Sequence, residues 1–201
     1  MNTSIARRIA VTVAAASTIL TGAAALGGSA FASQAPVATT QHGSHDAKPL
    51  GWVTVESCTS LVGSVTVNPG LRAKAHAESA VVTGTLDGCS TFGQAQPGQG
   101  TFTAVVSGRA SKSTGSLSGT FTANWPVSSG LNPSNGTLTI TTTSQGVYTI
   151  GGMVTAGAWT GSSLNTGYVV TGTQGTGSKK NPIVKQDFVN TNAFNLSRNG
   201  G

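Results

Sequence analysis

The sequence predicts an all-β fold, an antiparallel barrel or closed sandwich of eight or nine short strands with one disulfide. Three observations predict it. From Trp52 onward, β-branched and apolar residues alternate with polar ones, interrupted by Gly, Asn, Ser and Pro, and no helical period appears. Glycines recur at the apolar parity of successive strands, where they let a sheet curl. The chain also has two cysteines, Cys58 and Cys89, an even pair that an exporting pathway joins.

The elements follow in order. Arg7 and Arg8 precede an apolar run over residues 9–26, and Ala30-Phe31-Ala32 forms a small-x-small site before Ser33. This pattern predicts a signal peptide over 1–32 cut between Ala32 and Ser33, an extracellular product and no stable membrane anchor. Residues 33–50 are polar, with Pro36 and Pro49, and read as a flexible lead-in. A β domain is expected over 51–190 and a C-terminal tail over 191–201. Its expected strands are 52–57, 61–67, 80–87, 101–107, 117–125, 136–143, 147–156 and 167–173, with a ninth around 183–189. Gly63, Gly84, Gly119, Gly152 and Gly172 share the parity of their strands' apolar residues.

The first two barrel strands have a readable register. Matching apolar faces across a loop from Asn68 to Ser79 sets Val67 against Ala80, Val65 against Val82, Gly63 against Gly84 and Leu61 against Leu86. A slip by one residue would reverse every face. The same ladder sets Cys58 opposite Cys89, although the alternation makes no use of the cysteines. Cys58 has the outward parity, so a bulge near Ser57 to Ser60 is expected to turn it inward. The Cα atoms should then lie roughly 4.4–6.8 Å apart.

Charge narrows the function. Eleven Lys and Arg face five Asp and Glu, and charged residues make up only 8% of the chain. Removing Arg7 and Arg8 leaves nine bases against five acids, a net charge of +4. The basicity reflects a scarcity of acids. No stretch interleaves clustered Lys and Arg with aromatics, so nucleic acid is not an expected partner.

The inventory for catalysis is thin, and neither catalytic residues, a metal nor a cofactor is predicted. His42, His45 and Asp46 lie in the lead-in, which offers no preorganised ligand geometry. Nothing in the sequence unites Glu56 and Glu78 as a glycosidase pair. Gly172-x4-Gly177-Ser178-Lys179 reverses the Lys-Ser order of a phosphate loop, and no helix follows it.

Binding has better candidates. Trp52, Trp125 and Trp159, with Tyr148 and Tyr168, could stack on a sugar ring or small molecule, although core packing is the commoner fate of Trp. Arg72, Lys74 and His76 alternate with alanines. They place three basic groups on one side of an extended loop, which suits an anion or simply solvent.

Cys58-Thr59, the run from Gly63 to Leu71, Gly84-Thr85-Leu86-Asp87-Gly88-Cys89 and Val154-Thr155-Ala156-Gly157 resemble small secreted Gly/Thr-rich β-proteins of high-GC Gram-positive bacteria. The resemblance spans most of residues 55–175 and implies a compartment and a fold, with no activity to transfer. The expectation is a secreted, non-enzymatic module that binds a cell-envelope glycan or a secreted protein. The rival is a barrel whose interior or mouth takes a small molecule or glycan through Trp and Tyr. A filled interior favours the first and a cavity lined by Trp or Tyr the second. An enzyme would bring two of Asp46, Glu56, His76, Glu78, Asp87 and Asp187 together in one cleft.

Overall fold

The computed structural model describes residues 51–200. The expected signal peptide, its expected Ala32/Ser33 cleavage site and the expected lead-in all lie outside the described residues, as do His42, His45 and Asp46. Nine strands follow: β1 (Trp52–Leu71), β2 (His76–Thr91), β3 (Gln94–Gln96), β4 (Gly100–Ala110), β5 (Gly115–Asn124), β6 (Ser134–Ser144), β7 (Val147–Gly157), β8 (Ser163–Gln174) and β9 (Ile183–Asn199). The only helical turn among the described residues is the 3₁₀ turn Val127–Ser129.

Eight strands close an antiparallel barrel in the order β1-β2-β4-β5-β6-β7-β8-β9, with β9 returning to β1. The short β3 is added to the end of β2. Because the ladder is continuous, the architecture is a barrel and not a sandwich, and full closure removes every long free edge. It is an up-and-down meander, so alternate connections lie at the same end.

The predicted register holds throughout. Val67–Ala80, Val65–Val82, Gly63–Gly84, Leu61–Leu86 and Cys58–Cys89 are all direct partners. Three expectations change. The segments 52–57 and 61–67 are a single strand, and the hairpin ladder continues through Asn68 and Ser79 to a turn at residues 72–75. His76 therefore begins β2 and is not a loop residue. The expected tail is barrel wall as far as Asn199, because Phe194 and Leu196 supply buried side chains.

The bulge that turns Cys58 inward lies on the β9 side of β1, where the register shifts between Cys58 and Val62. The Asn190 side chain fills the break. Its Oδ1 accepts from the Leu61 N–H at 3.0 Å and its Nδ2 donates to the Thr59 carbonyl at 3.0 Å. One amide thus replaces the ladder bonds that the bulge interrupts. Cys58 and Leu61 can then both face the core, where each is fully buried.

Aromatic rings fill the interior. Phe102 lies against Phe121 and Phe194, and Trp125 against Phe194. In the other half, Tyr148 stacks on Tyr168 with ring centroids 4.6 Å apart, and Tyr168 on Phe188 at 4.7 Å. The glycines permit this filling. A Cβ on Gly63 would strike the backbone of β2 and come within 2.9 Å of Phe188. Gly172 departs from the expected pattern: it follows a register shift after Val170 and faces the Asp187 side chain. The cavity beside Tyr148, Tyr168 and Gln186 measures only about 20 Å³, room for about one water.

Candidate anion-binding site

Leu71 is buried at the end of β1, and from it the chain turns through Arg72, Ala73, Lys74 and Ala75 into β2. Inward parity on β2 then falls on Glu78, which is 4% exposed. Burying a carboxyl requires partners for both oxygens. Oε2 accepts from the Gly70 N–H at 3.0 Å, and Oε1 lies 2.7 Å from His76 Nε2. The other ring nitrogen, Nδ1, donates to the Lys74 carbonyl at 3.0 Å. The Nε2 contact is close enough for an ion pair but lacks hydrogen-bond geometry, so the imidazole is hydrogen-bonded through Nδ1 alone.

Neighbouring strands hold the turn from outside. The Lys112 N–H donates to the Arg72 carbonyl at 2.8 Å, and the Arg109 guanidinium donates to the Ala75 carbonyl at 3.3 Å. The β8–β9 connection packs on Lys112 through Gly177 and delivers Lys179. Arg72, Lys74, His76 and Lys179, with Ala73 and Ala75, line a pocket of about 490 Å³.

The meander concentrates charge here. Of the eight Lys and Arg in the described residues, seven belong to this end: Arg72, Lys74, Arg109, Lys112, Lys179, Lys180 and Lys185. Glu78 and Asp187 are the acids of this half, a net charge of +5 with His76 counted as neutral. The opposite end has Arg198 against Glu56 and Asp87. Asp187 is partly engaged by Lys185 at 3.3 Å.

The structure unites Arg72, Lys74 and His76 and disperses the aromatic candidates. Trp125, Tyr148 and Tyr168 are core residues and offer no ligand platform. Trp125 donates its indole N–H to Ser134 Oγ at 3.0 Å, and the Tyr148 hydroxyl donates to Gln186 Oε1 at 3.1 Å. Burial pushes both tyrosine hydroxyls above their ordinary range; the Gln186 bond partly offsets this for Tyr148, and the neighbouring Tyr148 adds to it for Tyr168. Trp52 is 65% exposed and half-buried Trp159 packs edge-on against Phe92, both at the opposite end. Glu56 and Glu78 lie near opposite ends of the barrel and form no pair. Glu56 lies within 4.8 Å of both cysteine sulfurs, but those sulfurs are bonded to each other and offer no thiolate ligand.

Sequence reading missed Lys112, Arg109 and Lys179 as companions of Arg72. The order of the turns carries the signal: in an up-and-down meander the first, third and later odd turns meet at one end. No protein-family model matches the chain, and no curated protein or solved structure matches it either.

Proposed function

We propose that the chain is a secreted, non-enzymatic β-barrel module that attaches to an anionic component of the cell envelope through its cationic end. The observation that carries this reading is the gathering of seven of the eight described cations at one end. Such a face steers and holds polyanions, and its grip weakens as salt shortens the Debye length below about 10 Å. The filled interior supports a surface contact over an enclosed ligand. Among the described residues, the exposed aromatics Trp52 and Phe92, which could stack on nucleobases, lie at the other end, away from the cations.

His76 and Glu78 do meet beneath the pocket, the arrangement an enzyme would need. Each member of the pair is tied to the turn's backbone: Glu78 Oε2 accepts from the Gly70 N–H and His76 Nδ1 donates to the Lys74 carbonyl, while Oε1 and Nε2 lie in close contact without hydrogen-bond geometry. The pair therefore suits holding the turn better than abstracting a substrate proton.

Cosedimentation of the full chain with isolated envelope material tests the reading. Lys74→Gln/Lys112→Gln/Lys179→Gln should lower retention at least tenfold, Arg198→Gln should leave it unchanged, and rising salt should release the protein. Equal losses in both variants, or retention insensitive to salt, would show that the cationic end is not the contact.

A further inference from the structure

We infer that the pocket between Arg72, Lys74, His76 and Lys179 is a discrete site for a phosphate ester. The inference rests on the cationic end being the binding face and names the chemical group that this face takes. Its first support is a guanidinium without a counter-ion. Among the described residues, no carboxylate forms a salt bridge with Arg72. The acid nearest the pocket, Glu78, is turned into the barrel and committed to Gly70 and His76, so it leaves the guanidinium unneutralised.

The second support is a built frame. Lys112 and Arg109 hold the carbonyls of Arg72 and Ala75, while the Lys74 carbonyl is taken by His76. Backbone ties on three of the turn's four residues fix where Arg72 and Lys74 depart from the chain. Lys179 arrives on a loop closed on itself, with the Thr176 N–H donating to the Asn181 carbonyl at 3.1 Å and the Asn181 N–H to Ser178 Oγ at 3.0 Å. A fork of guanidinium donors flanked by two ammonium point charges matches an oxyanion with three or four oxygens better than a carboxylate with two. The pocket volume of about 490 Å³ exceeds a bare phosphate and leaves room for the esterified group against Ala73 and Ala75.

Titrating the full chain with glycerol phosphate, a glycerophosphodiester and acetate, followed by backbone amide NMR, tests the site. Both phosphate probes should shift the amides of residues 71–76 and 177–180 and bind at least tenfold more tightly than acetate. Equal affinity for the diester would point to a polymer backbone as the source, and preference for the monoester to a free phosphate or chain end. Arg72→Lys and Lys179→Gln should each weaken binding about tenfold, while Lys180→Gln, outside the pocket lining, should change it less than twofold. Shifts spread over all the basic residues, equal affinity for acetate, or equal losses in Lys179→Gln and Lys180→Gln would reduce the site to diffuse charge. In that event envelope retention could persist and only the site would fall. Tight local phosphate binding without envelope retention would instead remove the attachment reading and leave the site.

Discussion

Cys58 and Cys89 are direct cross-strand partners in a hairpin whose register the neighbouring valines, leucines and glycines already determine. Their Cα atoms are 3.9 Å apart, closer than the expected range. The bond closes a sequence separation of 31 residues. In the chain-entropy account such a loop is worth about 3–4 kcal/mol. The double variant Cys58→Ala/Cys89→Ala should lose about that much in urea denaturation, while the barrel's circular dichroism is retained. A loss below about 1 kcal/mol would mean that the ladder alone restrains the unfolded chain.

The fold was legible because its determinants repeat along the sequence. Alternation gave each strand a face, and a closed meander asks only that each strand pair with the next. The register could be read from Leu61 to Val67 because a slip exposes every apolar residue. The bulge at Cys58 was legible from its parity, but the amide that bridges it was not, because Asn190 lies 129 residues after Leu61. The site was less legible for a related reason. Arg72, Lys112 and Lys179 look scattered until the turns are assigned alternately to two ends. Reading Lys179 only as part of a faulty phosphate loop hid its position in the odd-numbered turns.

Glu56 gives a pH prediction. It is fully buried and accepts a 2.7 Å hydrogen bond from the Thr91 hydroxyl. Desolvation raises its folded pKa above the ordinary 4.5, with the Thr91 bond acting in the opposite direction. Between 4.5 and the raised value the folded chain binds more protons than the unfolded one. The stability this carboxyl contributes is therefore full below its unfolded pKa and lost as pH rises through the folded one. Glu56→Gln keeps an acceptor for Thr91 and removes the charge. Urea midpoints from pH 4 to 8 should fall with pH in the wild type and stay flatter in the variant, which should be the more stable at neutrality. A variant less stable than wild type at pH 7 would contradict this.

The two tyrosines give an alkaline counterpart. They are the chain's only two, and both are buried. Burial raises both above the ordinary 10.0. Above pH 10 the unfolded chain therefore loses phenolic protons that the folded chain keeps, and stability falls as pH rises. Absorbance at the phenolate band should stay flat through pH 10 and then rise together with unfolding. Phenolate appearing near pH 10 in a still-folded protein would mean that the rings reach water.

Glu78 ties the stability of the fold to the shape of the cationic pocket. Its carboxyl is buried and serves two groups at once, the Gly70 N–H at the end of β1 and the His76 ring at the start of β2. Glu78→Ala leaves the amide without its acceptor, frees the ring and opens a gap at the barrel end. Removing one partner of a buried polar pair costs much more than the pair's net worth, because the other is left desolvated and alone. The expected loss is about 2–4 kcal/mol. Glu78→Gln retains an oxygen for Gly70 and an amide facing His76, so it should lose less than half as much. Amide exchange separates the two effects. The Gly70 amide should exchange faster in Glu78→Ala and stay protected in Glu78→Gln, with residues of the opposite end unaffected in both. If the Gly70 amide is equally protected in the alanine variant, Glu78 does not hold the turn. The pocket's frame would then rest on Lys112 and Arg109 alone.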